Sequence, residues 1–122
     1  MKAKRVALAA AFLAIALVIG SASQRAPTKA YILMQVDISN LQQYGEYMKV
    51  TPGLIEKFGG RFLARGGRAA TLDGAPAQAR IVVVEFESFE RAQEFYNSPE
   101  YQAARKLRGG AATAQMLLVE GL

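Results

Sequence analysis

Apolar residues recur along this chain with two patterns, one typical of strands and one typical of helices. Residues 30–37 (AYILMQVD) form an apolar run of strand length, and residues 80–87 (RIVVVEFE) form the clearest strand of all. Another strand is predicted over 61–66, with a continuation through Leu72, and a last one over 113–120. The pattern therefore predicts four strands, with two helical stretches between them.

The first helical stretch is predicted over residues 41–58. Asn40 precedes it and is suited to accept a hydrogen bond from its first turn. Apolar side chains then recur three or four residues apart, which aligns them along one side of a helix. Pro52 predicts a kink, because proline lacks the backbone N–H that an interior helical residue donates. Gly59-Gly60 ends the helix.

The second helical stretch begins after Ser88 and continues to about Leu107. Ser98-Pro99 breaks it and restarts it. The resulting order, β-α-β-β-α-β, is that of the ferredoxin-like fold, an α+β sandwich. The sequence therefore predicts one antiparallel four-stranded sheet that carries both helical stretches on one face.

The sheet face opposite the helices is expected to be an interaction surface. Tyr31 and Leu33 alternate with Ile32 and Met34, so both faces of the first strand carry apolar side chains. The chain has no third layer that would cover the second face, and large exposed apolar patches mark interaction sites. A second copy of the same sheet is the simplest cover, and two copies would form a dimeric α+β barrel.

Residues 1–23 have the layout of a secretion signal. A basic start is followed by uncharged residues over 6–19 and then by small residues, with Ala22 as a candidate cleavage point. Left uncut, residues 6–19 would instead anchor the chain, which is the one membrane contact that we expect. Residues 24–29 then link this segment to a domain over 30–122. Both outcomes predict export. A cleaved protein would be periplasmic or secreted, and an uncut one would be anchored on the outer side of a membrane.

The positive charge of the chain belongs to its leading segment rather than to the domain. The chain has 15 Lys and Arg, 10 Asp and Glu, and a formal net charge of +5. Residues 1–29 contain five bases and no acid, whereas residues 30–122 contain ten of each. A neutral domain offers no excess charge to a nucleic-acid backbone, so nucleic acid is not an expected partner.

The residue types that are missing exclude several kinds of chemistry. The chain has no Cys and no His. Disulfides, thiol nucleophiles, Cys-ligated metals and Ser-His-Asp triads are therefore excluded. The glycine runs lack the Lys-Ser/Thr pair of a phosphate-binding loop, and no acidic cluster has metal-ligand spacing. We expect neither a metal nor a cofactor.

Four segments of the domain resemble the domain-of-unknown-function family 1330. The most specific pieces are residues 59–67 (GGRFLARGG) and 98–101 (SPEY), and the resemblance spans about residues 30–121. It implies the fold and the homodimer of the dimeric α+β barrel group, which includes small monooxygenases, isomerases and haem-associated proteins. It implies no particular activity, and the mechanisms of that group that use a His cannot be transferred to this chain.

Two charged residues within strands are the candidate catalytic residues. Strict alternation places Arg65 on the free sheet face with Arg61, where its guanidinium can bind a carboxylate or an enolate-like oxygen, or form an ion pair. Glu85 lies within a run of valines, where a carboxylate is costly unless it is paired. Glu85 is therefore either a base with a raised pKa or the partner of Arg65, and both interpretations predict that the two side chains meet.

Tyr31, Gln35 and Gln115 are the candidate ligand-binding residues beside Arg65. The two glutamines are polar positions within apolar strands and are expected to line the same cavity. The sequence does not decide which sheet face Tyr31 takes. The remaining tyrosines are interpreted first as packing between helix and sheet, and second as hydroxyl groups at a pocket; they are Tyr44, Tyr47, Tyr96 and Tyr101.

Three functions remain open at this point. The first is the binding of a small organic molecule in a pocket at the sheet face, either in the cleft between sheet and helices or in the interior of the barrel. The second is a cofactor-independent enzyme for proton transfer or oxygenation on a small carbonyl or phenolic compound, in which Glu85 or a tyrosine moves a proton and Arg65 steadies an oxyanion. The third is a purely structural dimer. The binding protein and the enzyme both require an accessible cavity, whereas the structural dimer does not. The enzyme also requires an acid with a shifted pKa, which the binding protein does not need.

Overall fold

The structure, a computed structural model, describes residues 27–122. The predicted secretion signal and the first part of the linker lie outside these residues. In chain order the elements are β1 (Ala30–Ile38), α1 (Leu41–Lys57), β2 (Arg61–Arg65), β3 (Arg80–Phe86), α2 (Phe89–Asn97), α3 (Pro99–Arg108), a short 3-10 turn (Gly109–Ala111) and β4 (Ala112–Glu120).

The four strands form one antiparallel sheet in the order β2-β3-β1-β4. The central strand β1 pairs with β3 on one side and with β4 on the other, so β2 and β4 are the edges. The predicted ferredoxin-like α+β fold is therefore confirmed.

The second helical stretch is two helices because Ser98 serves both of them. Its backbone is extended, with ψ at 145°, which separates α2 from α3. Its hydroxyl donates to the carbonyl of Phe95 at 2.7 Å and accepts from the backbone N–H of Tyr101 at 3.1 Å. One buried side chain thus ends α2 and caps α3.

One sequence expectation about element bounds needs correction. The second strand ends at Arg65, and no strand continues through Leu72, where the described chain has no regular structure. Helix α1 runs through Pro52 to Lys57, in agreement with the predicted helix over residues 41–58. The missing N–H of Pro52 leaves the carbonyl of Met48, four residues earlier, without its usual helical partner.

The core lies between the helices and one face of the sheet, here called the inner face. Alternate residues of β1 point into it, and Ala30, Ile32, Met34 and Val36 are at most 5% exposed. Aromatic rings from the three helices and β3 fill the space above, and Phe95 packs against both Phe86 and Tyr101.

The opposite face of the sheet, the outer face, is apolar and exposed. Leu33, Leu117 and Val119 lie on it, and Leu117 is 52% exposed. Apolar side chains in this number on one face of a sheet are an uncovered surface rather than scattered single residues. Within residues 27–122, no helix combines the length and the apolar character needed to cross a bilayer.

Gly60 lies where the chain passes directly over the core, and we expect Gly60→Ala to destabilise the fold. A Cβ atom there would lie 2.8 Å from a ring carbon of Phe86 and 2.9 Å from a methyl group of Ile55, both buried. Overpacking of this kind costs about 1–3 kcal/mol in the free energy of unfolding, measurable by urea denaturation.

Gly67→Ala is the matched control, because no atom lies within 4 Å of a Cβ at that position. Its free energy of unfolding should change by less than about 1 kcal/mol. Equal effects of the two substitutions would contradict the tight packing described at Gly60.

Candidate functional site

Arg65 lies on the inner face, so its predicted position on the outer face is wrong. The pairing of β2 with β3 shifts between Phe62 and Ala64, which makes Leu63 the extra residue of a β-bulge. Arg65 is therefore opposite the inward-facing Val82. Strict alternation failed here because one extra residue moves every later side chain to the other face.

Arg65 serves helix α1 in this position. Its guanidinium lies 4.5 Å above the ring of Phe62 and donates to the carbonyl of Met48 at 3.4 Å. That carbonyl is the one that Pro52 leaves without a helical partner. Arg65 therefore satisfies a backbone group that the proline has freed.

Glu85 lies on the outer face as predicted, but its partner is Arg61 and not Arg65. Arg61 and Tyr31 flank it in the register of the sheet. The carboxylate accepts from Nε of Arg61 at 2.9 Å, and Nζ of Lys29 lies 3.5 Å away. Two cations thus compensate a carboxylate that is only 8% exposed.

The pKa of Glu85 is shifted in the direction opposite to that of a poised base. Burial raises the pKa of Glu85. The hydrogen bond and charge of Arg61, together with the charge of Lys29, lower it by more than burial raises it, so the net pKa lies below the ordinary 4.5. The raised pKa that the base hypothesis requires is not found. This carboxylate has the environment of an ion-paired sheet residue.

Three of the four predicted ligand-binding residues lie on the outer face. Gln35 and Gln115 face each other across β1 and β4, and Tyr31 takes the same side of β1. The backbone N–H of Gln78 donates to the side-chain oxygen of Gln35 at 3.2 Å, which ties the long loop between β2 and β3 (residues 66–79) to the sheet. These three residues and Glu85 share one face, whereas Arg65 is on the other.

A cluster of tyrosines occupies the inner face. The hydroxyls of Tyr47 on α1 and Tyr101 on α3 lie 2.8 Å apart, and that of Tyr101 also donates to the sulfur of Met116 at 3.4 Å. Burial, together with the proximity of Tyr101, raises the pKa of Tyr47 far above its ordinary value. Its hydroxyl therefore keeps its proton and acts as a neutral hydrogen-bond donor.

An open cleft lies beside this cluster, between α2, α3 and the edge strand β4. Its volume is about 440 Å³. One wall is apolar and the other carries two guanidinium groups, two amides and a phenol. The lining residues are Ile32, Ala92, Gln93, Tyr96, Asn97, Arg105, Arg108, Ala114, Met116, Leu117 and Leu118.

A second, smaller cavity lies deeper on the inner face, next to the tyrosines. Its volume is about 40 Å³, and Arg65 and Arg80 are among its lining residues. Ile32 and Met116 line both this cavity and the cleft, so they form the wall between the two.

Arg108 is the functional candidate that sequence reasoning missed. It is the last residue of α3 and only 9% exposed, and its guanidinium lies 5.2 Å above the ring of Tyr47. A signal was present, because Tyr101, Ala104 and Arg108 recur at the spacing of one helix face and the first two are apolar. Ending the predicted helix at Leu107 left this cation out of the pattern.

Metal chemistry has no cluster to support it in the described part of the chain. Within residues 27–122, no group of three Asp or Glu side chains is placed to hold a metal ion. The side chains that line the cleft offer hydrogen bonding, ion pairing and apolar contact.

The pairing of Glu85 predicts a pH-dependent contribution to stability. A carboxyl whose pKa is lower in the folded state stabilises the fold above its unfolded pKa of about 4.5 and loses that contribution as the pH falls through the folded value. Glu85→Gln should therefore be less stable than the wild type at pH 7, with the difference shrinking below pH 4.5. Thermal unfolding at several pH values measures it.

Glu46→Gln is the control for that experiment, because Glu46 is an exposed carboxylate with a single surface ion pair to Lys49. Its effect at pH 7 should be small. A Glu85 variant as stable as the wild type at pH 7 would contradict the role of the Arg61 pair.

Solved structures of the same fold cover most of this chain. A protein of unknown function from Rhodopseudomonas palustris has 19% identity and a TM-score of 0.64, covering 88% of this chain and 92% of its own. SnoaB, a cofactor-independent oxygenase from Streptomyces nogalater, has 8% identity and a TM-score of 0.54, covering 78% and 94%. A dimeric protein of unknown function with a ferredoxin-like fold from Bacteroides fragilis has 12% identity and a TM-score of 0.53, covering 80% and 100%.

These likenesses establish the fold alone, since every identity is below 20%. No curated protein matches the sequence. The family model of the domain of unknown function DUF1330 matches residues 29–122, which is nearly the whole of the described chain. The chain therefore belongs to the DUF1330 family, as its sequence segments indicated.

Proposed function

We propose that this protein is a homodimer that binds a small organic molecule in the cleft between α2, α3 and β4. The observation that carries the proposal is the cleft itself, about 440 Å³, with an apolar wall and a few polar side chains opposite. Small-molecule sites are concave, mostly apolar and oriented by a small number of polar groups.

Of the two pocket positions that the sequence left open, the cleft between sheet and helices is the one proposed here, because it is on the inner face. The outer face carries an internally paired carboxylate and exposed leucines, and a surface of that kind suits a second copy of the sheet. The predicted site residues Tyr31, Gln35, Gln115 and Glu85 would then belong to the dimer interface. Arg65, which lines the small inner cavity, is the predicted ligand-binding residue nearest the tyrosine cluster.

Cofactor-independent catalysis is the second candidate function, and the likeness in fold to SnoaB favours it. Proton transfer near neutral pH needs a group whose pKa is close to neutrality. The pKa of Glu85 is lowered and that of Tyr47 is raised, so both groups move away from that range. Binding is therefore the first proposal.

The compartment is part of the proposal. Residues 1–23 have the pattern of a secretion signal, and we therefore propose that the protein acts outside the cytoplasm, either free after cleavage or held at a membrane by residues 6–19.

The dimer is tested by placing a charge on the outer face. Leu33 lies on the central strand and is 38% exposed, so Leu33→Lys should convert the dimer to a monomer, because an unpaired charge in the interface is costly. Light scattering coupled to size-exclusion chromatography measures the mass.

Leu72→Lys makes the same change in the long loop, at a residue 96% exposed, and should leave the dimer intact. A wild-type protein that is monomeric, or a dimer that tolerates Leu33→Lys, would contradict the proposed interface.

The cleft is tested with small aromatic compounds and a variant that fills it. Benzoate, phenylacetate and salicylate, each with its primary amide, are titrated by ligand-observed NMR. Ala114 is an exposed lining residue, and Ala114→Trp should weaken binding about tenfold or more because the indole occupies the cleft.

Ala75→Trp adds the same ring to the exposed loop and should leave binding unchanged. The proposal fails when none of the six compounds binds, or when binding is indifferent to Ala114→Trp.

A further inference from the structure

The guanidinium of Arg108 is a buried positive charge without a negative partner in the described structure. Arg108 is 9% exposed, and within residues 27–122 no carboxylate oxygen lies within 4.0 Å of its nitrogens. Its Nε is buried and has no hydrogen-bond acceptor. Buried cations are normally paired, because removing a charge from water is expensive.

The groups around Arg108 reduce this cost without cancelling the charge. The Tyr47 ring beneath the guanidinium presents its negative face to the cation. The carboxyl end of α3, where Arg108 lies, carries a partial negative charge. The Tyr47 ring and the helix end carry only partial negative charge, and neither supplies an anion.

The lining of the cleft is also positively charged. Arg105 and Arg108 both line it, Gln93 and Asn97 add amide groups, and no acidic residue is among its lining residues. The rest of the lining is apolar or aromatic. The cleft therefore combines a cationic end with an apolar wall.

We infer that the ligand of this cleft is an organic carboxylate with an apolar or aromatic body, and that its carboxylate pairs with the guanidinium of Arg108. The inference rests on the proposed function, because it assigns the ligand class of the same cleft. Arginine suits a carboxylate, since a planar guanidinium matches the planar anion in shape and charge. The apolar body then covers Met116 and Leu118 on the β4 wall.

The matched acids and amides of the NMR panel test this inference directly, because each pair differs in charge and hardly in shape. We expect each acid that binds to do so at least about tenfold more tightly than its amide. In Arg108→Gln, the ratio of acid to amide affinity should fall to about one, because the charge that distinguishes acid from amide is gone.

Arg68→Gln is the control, because Arg68 is an exposed residue of the long loop and does not line the cleft. It should keep the full preference for acids. Far-UV circular dichroism checks the fold of each variant. Should Arg108→Gln fail to fold, the ratio of acid to amide affinity is compared between the wild type and Arg108→Lys. Arg108→Lys is expected to retain part of the wild-type ratio.

The outcomes separate the two proposals. Equal affinities for acid and amide, with binding still lost in Ala114→Trp, would overturn the carboxylate inference and leave the cleft as the binding site. A preference for acids that survives in a folded Arg108→Gln would also overturn it. Absence of binding by every compound would overturn the proposed function and the inference together.

Discussion

The structure depends on one constraint, which is that a four-stranded sheet has two faces and residues 27–122 supply helices for only one of them. Side chains alternate along each strand, so the inner face can be packed as a core while the outer face stays apolar and exposed. Everything on the inner face, including the tyrosines and the cleft, is positioned by helices that pack on alternate residues of β1 and β3. The outer face, with its leucines and its Glu85–Arg61 pair, has the character of an interface.

Most of the fold was predictable because its signals are local. Asn40 and Ser88 cap helices where the sequence placed them, and Ser98-Pro99 divides the second helical stretch. The apolar runs of β1 and β3 identified the two central strands, where burial on the inner face requires that pattern. The order of strands then follows from the small number of ways to connect β-α-β-β-α-β without crossings.

The candidate site was predictable only in part, because it depends on long-range geometry. Alternation gave the correct face for Glu85, but Arg65 changed face through a bulge that nothing in the local sequence marks. The partner of Glu85 is set by the register of β2 against β3, which brings Arg61 opposite it. Arg108 was missed because the predicted helix ended one residue too early, at Leu107, and the ends of helices are the least well defined part of them. In each case the decisive fact is a pairing between distant segments.

The wall that Ile32 and Met116 form between the two cavities has a consequence for selectivity. Methionine is unbranched and has three rotatable bonds, so its side chain changes shape at little cost. A partition made of such a side chain can yield to a longer guest by a rotation, while backbone and helices stay in place. The depth available to a guest is then set by a rotamer, whereas the positive charge that it meets comes from Arg105 and Arg108. For the ligand class proposed here, recognition of the carboxylate would therefore be strict, and recognition of the length of the apolar body would be lenient.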